Sequence, residues 1–336
     1  MKQSIVIPAF IIFLAIIYIK NIHAQDSKKY LPNKPGSAKI ESNLWQYSGF
    51  EKTLYEKNLA NLTNGFINEN KVLASPKGFD LLVWYFGMYD DNYKKRDCNY
   101  GIRSEIRFDF ELFLIENGKE NKWTVEPPHF TVYINNTESG HGGNYCNYEG
   151  YKVQVDDPAL EAPIENAVAG LCDLFVVFPL EEEFAPGVRL YGDGNLVVFN
   201  PERPPFWIPV TVKEVMELKM AYFNIRPDDQ QFVYPYLKNA FDKMTPEELH
   251  APAFNGGDAV FNVTAEKDGL QIMRFNKDYW DHSLPNTTVQ FMTLYYRFTD
   301  DAEMQESVEN NGHANYPALT KNAIKMGGLV RLIVGK

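Results

Sequence analysis

Polar and apolar residues alternate most regularly from Glu105 to Leu114, where Ile106, Phe108, Phe110, Leu112 and Leu114 are interleaved with Glu105, Arg107, Asp109 and Glu111. A period of two puts one face in a core and the other in water, as in an antiparallel strand. Gly78 to Tyr89 is a denser apolar run of strand character. Asn117-Gly118 then turns the chain into a strand at Trp123 to Val125, and Phe130, Val132 and Ile134 resume after Pro127-Pro128, which makes a meander. His141 to Asn144 reads as a loop. Tyr151, Val153 and Val155 alternate again, Leu171 to Leu180 reads as a buried strand, and Val188 to Tyr191 pairs with Asn195 to Phe199 across Gly192-Asp193-Gly194. Glu51 to Ala60 is expected to be a short helix stopped by Asn64-Gly65. Residues 44–200 thus read as an antiparallel β-rich unit of about seven to nine strands, a sandwich or a strongly curved sheet.

The period changes after Phe199. Four prolines between Pro201 and Pro209 remove N–H donors and fix φ, predicting a rigid extended connector with neither ladder pairing nor helix. Thr211 and Glu214 then stand in T-x-x-E spacing before an apolar run, a capping box that starts a helix. Val212, Val215, Met216, Tyr222 and Phe223 form its buried face, and Pro227 ends it and opens the next, with Val233, Leu237, Ala240, Phe241 and Met244 inward. Thr245-Pro246-Glu247-Glu248 repeats the capping pattern. Val289 to Thr299 returns to strand, Ala302 to Glu309 and Pro317 to Met326 are expected helices, and Leu329 to Val334 is a closing strand. The whole is α+β: a β-rich first half, then a helical layer with returning strands. Residues 201–336 form either a second unit or a continuation of 44–200.

At the start, Lys2 precedes an apolar run from Ile5 to Ile19, and Ile22-His23-Ala24 precedes Gln25, so residues 1–24 read as a cleaved signal peptide. Residues 25–43, polar with Pro, Gly and Ser, read as a flexible leader. The expected product is soluble and secreted or periplasmic, with no membrane association once the signal is cleaved. Loss of Lys2 and Lys20 makes the chain two charges more negative than its net −11. Such acidity disfavours nucleic acid as a partner. Of the three cysteines, Cys98 and Cys146 lie in polar, Gly-flanked surroundings and are expected to pair, leaving Cys172 as a buried thiol.

No nucleophile elbow, phosphate-binding loop, dinucleotide fingerprint or H-E-x-x-H motif is present, and the histidines lack metal-ligand spacing. No cofactor and no metal are expected. The densest chemistry is Asp278-Tyr279-Trp280-Asp281-His282. Its two carboxylates and imidazole could do acid/base work beside the indole of Trp280, or could form a solvated turn. Phe199-Asn200 is followed at nine and eleven residues by Pro209 and Thr211, and Phe275-Asn276 at the same intervals by Pro285 and Thr287, with Trp207 or Trp280 between. If the two loops converge, Arg203, Trp207 and Trp280 would be ligand-binding residues of a cleft whose catalytic candidates are Asp278, Asp281 and His282.

NPERPPFW-x-PVTVKEV and RFNKDYWDHSLP, within residues 195–300, resemble a group of uncharacterised secreted proteins of the Bacteroidota type. Lys277 and Asn286 depart from that pattern, where proline and a basic residue are expected. The resemblance implies secretion and names no catalytic residue. Aromatic residues make up 14% of the chain, which serves either a sugar-stacking or protein-binding surface or a β-sheet core. The expected function is a secreted, non-catalytic binding or structural protein with an extracellular or periplasmic ligand, carbohydrate or protein. The alternative is an extracellular hydrolase of glycan or another polymer, working through acids near Asp278 and Asp281.

Overall fold

A computed structural model describes residues 28–45, 47–87, 100–137, 142–145, 157–256, 263–265 and 269–334. The expected signal peptide, His141, the strand at Tyr151, Val153 and Val155, and Cys98 and Cys146 lie outside these residues.

The 25–43 leader is not featureless. It carries β1 (Lys29–Tyr30) and β2 (Ala38–Asn43). Helix α1 (Gly49–Glu69) runs through Asn64-Gly65 instead of stopping there. A Cβ on Gly65 would come within 2.6 Å of the Leu332 Cδ2 atom, so this glycine marks close packing of the C-terminal segment. β3 (Phe79–Gly87), β4 (Ser104–Glu116), β5 (Lys119–Trp123) and β6 (His129–Ile134) follow, with β5 placed earlier than the expected Trp123 to Val125. The expected meander is broken, because β5 and β6 both pair with β4, one after the other along it, and not with each other. The β4–β5 turn is Asn117-Gly118, both at positive φ, the backbone that two-residue hairpins favour. β7 (Gly142–Asn144) replaces a predicted loop.

The first half is not all-β. Helix α2 (Pro158–Cys172) starts on an Asp157 carboxylate that accepts from the Ala159 N–H, and buries Ile164, Val168 and Leu171. β8 is confined to Leu174–Val177, followed by β9 (Leu180–Ala185), β10 (Val188–Tyr191) and β11 (Asn195–Phe199). β12 (Trp207–Pro209) lies within the proline connector. It pairs after all, but along one side of a single strand, where a proline costs no ladder bond on the open side.

Helices α3 (Val212–Ile225), α4 (Pro227–Phe232), α5 (Tyr234–Lys243) and α6 (Pro246–His250) follow, with the predicted capping boxes at Thr211/Glu214 and Thr245/Glu248, but the one helix expected from Pro227 is divided at Val233 into α4 and α5. β13 (Phe254–Asn255), β14 (Leu270–Phe275) and β15 (Phe291–Tyr295) return to sheet. Helices α7 (Asp301–Asn311), α8 (Tyr316–Asn322) and α9 (Met326–Val334) close the described chain. The last was expected as a strand. Its β-branched content favours one, but Leu329 and Ile333, four apart, are buried in the core shared with α1.

Among the described residues ten strands form one sheet, ordered β2-β3-β4-β6-β15-β11-β10-β9 with β1 and β5 on β4; five form a second, β12-β14-β8-β7 with β13 on β14. All pairs are antiparallel except β2 with β3. Three clusters fill the spaces between four layers. The first packs α1, α8 and α9 on the large sheet through Leu59, Phe66, Phe108, Val132 and Leu196. The second lies between the sheets, and the third packs α2, α3 and α5 on the outer face of the small sheet. Because β15 sits between β6 and β11 while β12 and β14 join β8, both halves of the chain build both sheets. No helix of the described residues is long and apolar enough to cross a membrane.

Cys172 is buried as expected but is disulfide-bonded, not a free thiol. Asn135, in an Asn-x-Thr triplet, is fully buried; its amide donates to the carbonyls of Ile102 and Thr288 and accepts from the N–H groups of Gln290 and Phe291.

Thr211→Ala should lower stability by about 1 kcal/mol, the usual cost of an N-cap oxygen, in chemical denaturation. Burial pushes the Glu214 carboxyl up, but bonds from Thr211 and the Arg274 guanidinium outweigh it and leave its pKa below the ordinary 4.5. Its contribution is therefore whole above pH 4.5 and drains away as pH falls through the depressed value, so the deficit of Glu214→Gln relative to the parent should shrink on acidification. Non-reducing peptide mapping should recover Cys172 in a disulfide-linked peptide; a free Cys172 would match the buried thiol expected from sequence.

Candidate functional site

β11 and β14 leave their sheets through the same dipeptide, Phe-Asn, and the same local chemistry follows each. Asn200 Oδ1 accepts from the Glu202 N–H at 3.0 Å, and Asn276 Oδ1 from the Asp278 N–H at 3.1 Å, two Asx turns. The loops they start are stitched together. Arg203 Nε donates to the Tyr279 carbonyl at 2.8 Å, and its Nη2 to those of Asp278 at 2.9 Å and Trp280 at 2.6 Å. In return, Asn276 Nδ2 donates to the Pro205 carbonyl and the Asn276 N–H to that of Phe206. The Tyr279 hydroxyl accepts from the Asn200 N–H and donates to the Gln290 carbonyl at 2.6 Å, and burial pushes its pKa up.

This convergence brings the expected residues near one another without making one site of them. Trp207 and Trp280 are not exposed platforms: they are 8% and 1% exposed, in the aromatic core between the sheets. Trp207 packs 5.1 Å from the Phe175 ring, and Trp280 stacks on Phe275 at 5.6 Å. Asp278 is exposed. Asp281 Oδ1 accepts from the Ser283 hydroxyl at 2.6 Å and N–H at 3.0 Å, closing a third Asx turn. These bonds, with weaker help from Arg203 and His282, hold its carboxyl below the usual aspartate range. A carboxyl kept ionised is the opposite of what a general acid needs. His282 is exposed, its ring edge-on to Tyr100 at 4.3 Å.

Two concavities flank the stitched loops. The smaller, about 320 Å³, lies between α1, α9 and the loops and is lined by Asn58, Asn61, Arg203, Tyr279, Asp281 and Gln290 among others. The larger, about 560 Å³, opens between β9–β10 of one sheet and β12–β14 of the other. Phe178, Tyr191, Phe199, Phe206, Trp207 and Met273 give it an apolar lining. Arg203 lines both, Trp207 only the larger, Asp281 only the smaller and His282 neither. Among the described residues no three of His, Cys, Asp and Glu converge as they would around a metal ion.

Arg189, Glu183 and Tyr191, which line the larger concavity, were not singled out by sequence. Arg189 and Glu183 are directly opposed on β10 and β9, with Nε 3.4 Å from a carboxylate oxygen. The Arg189 guanidinium also lies 4.9 Å from the centre of the Phe199 ring. Burial raises the Tyr191 pKa against a bond from Arg189, so its hydroxyl stays neutral. The alternation in Val188 to Tyr191 puts Arg189 on the face away from Val188, which reads as solvent unless a second sheet covers it.

Comparison of the chain with protein-family models, curated proteins and solved structures finds no match.

Trp207→Ala should cost about 3–5 kcal/mol in chemical denaturation, as for other large aromatic truncations in cores. Tyr279→Phe should cost about 1–3 kcal/mol, because it strands the Asn200 N–H and the Gln290 carbonyl in buried surroundings. A Trp207→Ala protein as stable as the parent would return this indole to the role of a solvent-facing platform.

Proposed function

We propose that this chain is an exported, non-catalytic binding protein whose ligand places an apolar body in the larger cavity, between the two sheets. The observation that carries the reading is the cavity itself. Its volume of about 560 Å³ falls within the range of small-molecule sites, roughly 300–1,000 Å³, and its wall combines aromatic rings with a few polar groups. Preformed concavities of this kind bind by removing apolar surface from water and need no reacting side chain. Export rests on the apolar start of the chain. A carbohydrate or protein ligand fits the same reading where it presents an apolar group.

The hydrolase alternative receives less support from the geometry. A glycosidase needs two carboxyl groups across a cleft, one of them protonated near neutrality. Asp281 is held ionised by Ser283 and lines a cavity in which it is the one carboxylate among the described residues.

Titration with the neutral fluorophore N-phenyl-1-naphthylamine tests the proposal. Saturable binding by the parent is expected, and Gln271→Trp, which fills the cavity from β14, should abolish it with circular dichroism unchanged. No saturable binding by the parent, or binding unaltered by Gln271→Trp, would overturn the reading.

A further inference from the structure

We infer that the cavity between the sheets selects ligands whose flat apolar body carries an anionic group, a carboxylate or sulfonate, and that Arg189 is the residue that recognises it. The inference rests on the proposed binding role of this cavity and adds the ligand's charge.

The chain as a whole carries −11, yet the cavity wall does not share that sign. Among the described residues that line it, the charged ones are Arg189, Arg203 and Glu183, a local balance of +1. The two guanidiniums are placed differently. Arg203 spends Nε and Nη2 on three main-chain carbonyls, which hold it in position without cancelling its charge. Asp281 lies close enough to Arg203 for the guanidinium to help keep its carboxyl ionised, but it lines the other cavity.

Arg189 is the freer of the two. Its side chain is 34% exposed, its Nε faces Glu183, and its guanidinium rests over the Phe199 ring. A guanidinium has five N–H donors in a planar fork, so the pair with Glu183 and the bond to the Tyr191 hydroxyl leave donors for a further, bidentate acceptor. Beside an aromatic wall, which lowers the local dielectric, such a contact is stronger than on an open surface. Phe199 joins the two parts of the site, because it carries Arg189 on its face and also lines the cavity. A ligand with an aryl ring against Phe206 and Met273 and an acid group at Arg189 would satisfy both.

Two dyes that differ by one group separate this inference from the one beneath it. N-phenyl-1-naphthylamine is neutral, and 8-anilinonaphthalene-1-sulfonate is the same skeleton with a sulfonate. The parent should bind the sulfonate at least about tenfold more tightly. Arg189→Gln should bring the two affinities within about threefold. Glu183→Gln, which removes the competing carboxylate, should widen the parent's preference. Equal affinity of the parent for both dyes, or a sulfonate preference that survives Arg189→Gln in a folded protein, would overturn the charge selectivity while leaving the cavity as a binding site. Binding of neither dye would overturn the cavity reading itself. Should Arg189→Gln fail to fold, Glu183→Gln decides, since a weakened or unchanged sulfonate preference in that variant rejects a role for Arg189.

Discussion

Strand β11 is five residues long and has no solvent face. Successive side chains of a strand point to opposite sides, so Leu196 and Val198 enter the core under α1 and α9, while Val197 and Phe199 enter the aromatic core between the sheets. Its neighbour β15 divides in the same way, with Met292 and Leu294 on one side and Phe291 on the other. A slip of one residue in either strand would exchange the two sets. The four layers therefore depend on one register, fixed by ladders from Asn195↔Tyr295 to Phe199↔Phe291 and from Val188↔Val198 to Tyr191↔Asn195. Where the small sheet ends, the same face of the large sheet is left as a wall, and the larger cavity lies against it.

The loops beyond Phe199 and Phe275 could have been the mobile part of such a structure. Arg203 prevents this by tying three consecutive carbonyls of the second loop to the first. A neutral side chain could not reach all three, because the contact uses the planar spread of the guanidinium. The same residue forms part of both cavity walls, so a side chain that helps to hold the loops also helps to shape both concavities.

Much of this was legible in the sequence, and the failures have physical causes. The alternation from Ile106 to Leu112, the Asn117-Gly118 turn and both capping boxes are local, and each appears where expected. The Phe-Asn echo proved to be two Asx turns. Helix α2 carries Ile164, Val168 and Leu171 at helical spacing behind an Asp-Pro start, but Pro163 reads as a breaker and the apolar run after Leu171 draws the eye to a strand. Helix α9 is decided by what it packs on, which no local propensity reports. The cavity was invisible for the same reason. Trp207 was singled out, yet whether it is wall or platform, and whether Arg189 faces water or a second sheet, depends on β14, whose Phe275 pairs with Trp207 from 68 residues away in sequence.

Among the described residues the large sheet ends at β2 on one side and β9 on the other, and unpaired rims are templates for pairing with other molecules. β2 carries Lys39 and Glu41, and β9 carries three consecutive glutamates from Glu181 to Glu183. A second copy attempting to extend the sheet rim to rim through β9 would have to set one row of glutamates beside another. The charge that makes Glu183 a competitor for Arg189 inside the cavity thus also stands on a sheet rim, where like charges oppose pairing with a second copy.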